Sequence, residues 1–292
     1  MIILKKALAV IAAFIVFVLT LFYFDIMWKS PSFYKVNQKS ELTLPVMDMK
    51  QYKEIISSHR RPYIFTLTAK NGAKVSIVGV DHRNDPSHSQ FDSIRYQWRD
   101  LNPDAVLVEG RLGFLFTWLQ NPIEEYGESG LASFLAKKEG KELYTWEPTR
   151  DDEVESLKEY FSLKQLAMFY ALRPYFSLSH KGVVENPEER IQEFIDSRTD
   201  YNHIRGAIKS YKDIDEEWSK HYQNIDWRTY SNPSGYMPKG LMHNLWNASN
   251  IARDEHLIQA VLELLRNNKN VFVTVGVSHA PRIEGTLKEA LK

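Results

Sequence analysis

The chain has 292 residues, 43% hydrophobic and 25% charged, a globular composition that argues against a mostly disordered chain. Lys+Arg and Asp+Glu both number 37, so the basic excess that nucleic-acid binding leaves is missing and no nucleic-acid partner is expected. There is no cysteine, which excludes disulfides, Cys-zinc sites, Cys nucleophiles and a lipidated N-terminal Cys.

Residues 7–24 form an apolar run whose only polar member is Thr20. At 1.5 Å per residue it spans roughly 27 Å, close to the ~30 Å hydrocarbon core of a bilayer. Lys5 and Lys6 precede the run; Asp25 and Lys29 follow it. The positive-inside bias therefore puts a short N-terminus in the cytoplasm and the bulk of the chain outside it. A cleaved signal peptide would need small residues after the apolar core. The exit here is bulky, and its Tyr23 and Trp28 suit an interfacial belt instead. The expectation is a single-pass signal anchor over residues 1–28, held in the lipid bilayer by residues 7–24. Residues 29–60 read as a polar linker. Residues 61–292 read as one domain with one core and no internal boundary.

The domain opens on a hairpin. Strands are expected at 63–68 and 74–80, joined at Asn71-Gly72 by a two-residue turn with positive φ at both positions. Phe91, Ile94, Trp98 and Leu101 then recur at helical spacing until Asn102-Pro103 stops them. Residues 104–110 form a short buried strand, which makes a βαβ unit with parallel strands. Ser129 is placed to cap a helix over 131–139 that Gly140 closes, and a strand at 142–147 follows. Residues 151–230 read as a helical insert whose aromatics, Phe161 and Phe169 among them, pack its own core. A lesser reading makes them a substrate groove or membrane-facing surface. A loop with Pro233, Gly235, Pro238 and Gly240 leads to an amphipathic helix at 251–265. An apolar strand at 270–276 and a helix at 283–291 end the chain. The fold class is α/β, as an α+β variant. A central mixed sheet begins with the N-terminal hairpin and is flanked by helices, with the large helical insert and one transmembrane helix.

Four ionisable side chains, His82, Glu109, Glu147 and His279, directly follow four of these strands. In sheets built from βαβ units, ligands bind beyond the carboxyl ends of the strands. Two imidazoles and two carboxylates there give the chemistry of a divalent-metal site or of general acid–base hydrolysis. Gly79 and Gly276 each stand three residues before a histidine, where a strand must turn sharply. Gly-x-x-His is expected about 0.4 times by chance at this composition, so strand context carries the weight. The third copy, Gly240-Leu241-Met242-His243, lacks that context. Arg253 falls in the first turn of its expected helix, where a cation opposes the dipole and needs an anionic partner. Asp85 and His88 either add a ligand or cap the helix that begins near Ser89. His59, His180, His203, His221 and His256 have no strand-end context and read as surface residues.

Gly79-Val80-Asp81-His82 and Val108-Glu109 resemble the opening block of the TraB/GumN/TIKI family, in the erythromycin esterase-like and ChaN-like superfamily. Ala252-Arg253-Asp254-Glu255-His256-Leu257 and Gly276-Val277-Ser278-His279 resemble its closing block. The likeness covers about 79–111 and 250–291, and the middle of the chain carries none of it. It implies that His82, Glu109, Arg253 and His279 are the catalytic elements. His82, Glu109, Glu147 and His279 are the candidate ligands of a divalent ion, Mn²⁺ or Zn²⁺. TIKI-like members are membrane-tethered metal-dependent proteases, and other members are linked to ester hydrolysis, haem binding or pheromone shutdown. The expected function is a membrane-anchored extracytoplasmic hydrolase acting on a peptide or small ester. The alternative is a non-catalytic tethered protein that sequesters a peptide or haem.

Overall fold

The computed structural model describes residues 2–24, 26–180, 182, 184–231 and 237–292. Asp25 at the exit of the apolar run, and Pro233 and Gly235 of the expected loop, lie outside the described residues. The described residues form a mixed α/β structure with ten helices and eight strands.

α1 (Ile2–Tyr23) carries a 19-residue stretch, Lys5–Tyr23, with mean hydropathy 2.4 and no buried share. It is the one helix among the described residues long and apolar enough to cross a membrane. β1 (Met27–Trp28), β2 (Ser32–Phe33) and α2 (Met49–Ile55) follow.

The chain runs on through β3 (Tyr63–Thr68) and β4 (Lys74–Val80), then α3 (Gln90–Leu101), β5 (Ala105–Val108), β6 (Leu115–Phe116), α4 (Pro122–Lys138) and β7 (Glu142–Thr145). The helices α5 (Arg150–Leu157), α6 (Leu163–Ser179), α7 (Pro187–Arg198) and α8 (Tyr211–Ser219) come next. The long α9 (Leu241–Arg266), β8 (Val271–Gly276) and α10 (His279–Ala290) complete the chain.

Six strands make the main sheet in the order β2-β7-β5-β8-β4-β3. All neighbours pair parallel except β3, which runs antiparallel to β4. β4 and β5 are therefore parallel but not adjacent, because β8 lies between them. β8 is fully buried, as its unbroken Val-Phe-Val-Thr-Val run requires of a strand covered on both faces. On one face Val78, Val80, Val106, Val108 and Phe272 pack against α3 and α4 through Ile94, Trp98 and Leu131. On the other, Ile77, Leu107, Val273 and Val275 pack against the C-terminal half of α9 and against α10. Each fully buried Val, Leu, Ile or Phe contributes about 1.5–3 kcal/mol, so the sheet's order is fixed by its apolar strands.

Five expectations need correction. Residues 29–60 are not a free linker: β2 pairs with β7, and Tyr34 and Val46 join the core. These apolar residues are scattered without a period, so no element announces itself in the sequence. The turn at Asn71-Gly72 has positive φ at Gly72 alone (88°). Ala69 N–H donates to Ala73 O while Gly72 N–H donates to Ala69 O, a three-residue loop closed by a left-handed glycine.

The chain forms two compact units, not one: Met1–Glu147 with His256–Lys292, and Pro148–Glu255. The second has its own core, with Phe169, Tyr175, Trp218 and Trp227 buried among α6, α8 and their neighbours. α9 starts at Leu241, ten residues before the expected start at 251. Arg253 therefore sits in mid-helix, not in a first turn. Ser129 does not cap a helix. α4 begins at Pro122 with Asn121 as its cap, and Ser129 Oγ instead donates to Glu109 O at 3.0 Å.

Candidate functional site

Parallel pairing brings the C-terminal ends of β4, β5, β7 and β8 to one edge of the sheet. His82 lies two residues beyond β4, Glu109 one beyond β5, Glu147 two beyond β7 and His279 at the first residue of α10. A small cleft of about 280 Å³ opens there, lined by His82, Glu109, Leu112, Tyr126, Glu128 and Glu147 among others.

Glu109 is anchored by backbone. Gly276 N–H donates to its Oε2 at 2.6 Å, and His279 Nε2 stands 3.7 Å from its Oε1. The His279 ring meets Trp146 edge-on at 5.4 Å, and the Trp146 indole N–H donates to Thr274 O. His256, expected at the surface, places Nδ1 2.7 Å from Trp146 O. Trp146 is thus held from both sides beside His279.

His82 is anchored by a residue that sequence reasoning missed. Its Nδ1 lies 2.7 Å from Glu128 Oε1, and the Glu128 side chain is buried. Glu128 directly follows a break in α4, where Tyr126 (φ −136°, ψ 17°) and Gly127 (φ 54°, ψ −132°) leave the helical region. A new helical stretch starts there, and a carboxylate at its first turn suits the helix dipole. The break is enforced by contact: a Cβ on Gly127 would lie 2.8 Å from Arg83 O, and one on Gly130 only 1.9 Å from Pro122 O. The signal in the sequence was Gly127-Glu128-Ser129-Gly130, two glycines around an acid inside a helical stretch.

The two glycines of the paired motif have separate jobs. At Gly276 a Cβ would sit 2.8 Å from His82 Nε2 and 3.4 Å from Glu109 Oε2. The bare glycine leaves room for both side chains over the end of β8. At Gly79 a Cβ would sit 2.6 Å from Ala280 Cβ, so that glycine lets α10 approach the sheet.

Among the described residues, the one group of three with ligand atoms all within 4.8 Å of one another is His82, Glu109 and Glu128. This group could hold a metal ion. Of the four residues expected as ligands, His82 and Glu109 belong to it. His279, 3.7 Å from Glu109 Oε1, and Glu147, which lines the cleft, are outside the group. Arg253 belongs to the second unit. Asp85 and His88 are spent on their own turn, Asp85 accepting from Ser87 and His88 Nδ1 from Gln90 N–H.

The hydrogen bond to Glu128 is the main cause that lifts His82 from 6.5 to about 9; burial opposes the rise, and Glu109 adds to it. Without an ion the imidazole is a cation between carboxylates at neutral pH. Nδ1 is engaged by Glu128, and Nε2 lies over Gly276 beside the Glu109 carboxylate. Comparison with protein-family models, with curated proteins and with solved structures finds no match to this chain.

Proposed function

We propose that this chain is a membrane-anchored, extracytoplasmic, metal-dependent hydrolase of the TraB/GumN/TIKI kind, acting on peptides or small esters. One observation carries the reading: the donor atoms of His82, Glu109 and Glu128 converge at the carboxyl edge of a parallel sheet, over a glycine. One imidazole with two carboxylates is a harder donor set than the His₂Glu of zinc hydrolases, which favours Mn²⁺ over Zn²⁺. A divalent ion held there supplies Lewis-acid polarisation and a water acidified toward neutral pH. Glu128 holds His82 by Nδ1 when no ion is bound, and as the third donor it would turn from that bond to the ion. Glu109, held by the Gly276 N–H, would be a ligand, and His279, 3.7 Å from its Oε1, would exchange a proton with it. The small and mostly polar cleft favours hydrolysis over haem binding, which needs an apolar slot. α1 is the anchor, with Lys5 and Lys6 on the cytoplasmic side.

The test is hydrolysis of a peptide library, and of short esters, by full-length protein in detergent with Mn²⁺. His82→Ala, Glu109→Gln and His279→Ala should each cut turnover at least 100-fold with the melting temperature nearly unchanged. A chelator should abolish turnover and Mn²⁺ restore it. Full activity in the chelated protein or in His82→Ala would end this reading.

A further inference from the structure

The surface between the cleft and α1 carries the strongest unassigned feature. β6 pairs antiparallel with β1, Met27 opposite Phe116 and Trp28 opposite Leu115. Three residues separate the end of α1 from β1, at most about 14 Å of chain from Tyr23 to Met27. Thr117 N–H donates to Ile26 O at 3.0 Å, and the Phe114 ring lies 6.2 Å from that of Phe22 in the last turns of α1. The segment 112–120 is therefore fastened beside the point where α1 ends.

Three of its large apolar side chains face solvent, while Leu112 and Leu115 are buried. Phe114 is 64% exposed, Trp118 68% and Leu119 67%, and Tyr23 and Phe24 at the end of the apolar run are exposed too. An open, largely apolar recess of about 690 Å³ lies in the same corner, lined by Leu19, Phe22 and Met27, with Lys29 and Lys137 also on its wall. Aromatic and aliphatic tips beside lysines are the chemistry of a bilayer's headgroup region. Contiguous exposed apolar surface is scarce on soluble monomers and marks a partner. The other end of the segment belongs to the cleft: Leu112 lines it, and Tyr126, also in its wall, donates through its hydroxyl to Phe114 O at 3.2 Å.

We propose that residues 112–120 dip into the leaflet from which α1 emerges, seating Phe114, Trp118 and Leu119 among the lipid headgroups and upper acyl chains. The occupant of this surface is the phospholipid bilayer. The His82–Glu109–Glu128 cleft is then held at the membrane surface, where substrates already bound to the membrane reach it first. The inference rests on α1 being a membrane anchor.

The absence of cysteine gives a clean test, since any introduced thiol is the sole labelling site. Nitroxide labels are placed by Leu119→Cys on the segment, Val16→Cys in α1 and Tyr96→Cys on exposed α3, in the full chain. The protein is reconstituted in phosphatidylcholine vesicles containing phosphatidylglycerol. Accessibility to oxygen, which concentrates in lipid, is compared with accessibility to a water-soluble nickel chelate. The expected result is a lipid-embedded Val16 label, a Leu119 label at headgroup-to-upper-chain depth with oxygen favoured several-fold over nickel, and a water-exposed Tyr96 label. A lipid-embedded Val16 with a fully nickel-accessible Leu119 overturns the inference and leaves the anchor standing. A water-exposed Val16 overturns both. A Leu119 label closed to both reagents, with spin–spin broadening that unlabelled protein dilutes away, shows that a second copy covers the surface and overturns it too.

Discussion

Gly276 has no side chain, and the His82 ring and the Glu109 carboxylate stand where one would be. A methyl group there meets His82 Nε2 at 2.8 Å, the free end of a side chain that can swing away. Gly276→Ala is therefore expected to leave the melting temperature nearly unchanged while Mn²⁺ affinity falls at least tenfold; unaltered affinity in a calorimetric titration would count against the site. Glu128 acts through protonation. A histidine raised from 6.5 to about 9 in the folded state adds stability that is complete below pH 6.5 and fades as pH climbs through about 9. Because the His82 side chain is 64% exposed, solvent discounts that gain to about 1 kcal/mol or less. In metal-free protein, stability should fall between pH 6.5 and 9 by this amount, and Glu128→Gln should flatten the decline. A denaturant series across that range reads it directly. His82 and Glu109 stood out in the sequence because each directly follows an apolar strand. Glu128 did not, because its place depends on a break in α4 that only three-dimensional contacts enforce.

The break in α4 is an element-scale device. A glycine inside a helix ordinarily costs about 1 kcal/mol against alanine. At Gly130 the sign reverses, since a Cβ would fall 1.9 Å from the backbone carbonyl of Pro122. Gly130→Ala is expected to lose about 1–3 kcal/mol in chemical denaturation and to weaken Mn²⁺ binding by displacing Glu128; a stabilised variant would show that the break is not enforced there. The other elements differed in how well they showed in the sequence. β8 is an uninterrupted apolar run between turn signals, and the Phe91–Leu101 spacing of α3 is strongly periodic, so both were readable. α9 was readable only over its last half. Its first half contributes Met242 and Leu245 to a different core, so no single apolar stripe runs its length. That divided role is why Arg253 was misplaced at a helix start.

At the scale of the molecule, sequence composition revealed the apolar helix and the α/β class but not the division into two units. A single run of 108 residues, Pro148–Glu255, builds its own core while the strands before it and after it share one sheet. Such an excursion leaves no composition shift to mark its limits. The 29–60 stretch was misread for a related reason: Tyr34, Val46 and Met49 are too scattered to show a period, yet each is buried. What matters for function is the sheet order, which places β8 between β4 and β5 and so brings residues 82, 109 and 276 together from distant parts of the chain. The claim that this edge holds a divalent ion is tested most directly by titrating Mn²⁺ into the full-length protein and recording electron-spin-echo modulation of the bound ion. The account predicts one tight site per chain with nitrogen coupling from a single imidazole, the coupling lost in His82→Gln and the affinity lost in Glu109→Gln. Absence of saturable binding, or nitrogen coupling that persists in His82→Gln, would contradict it.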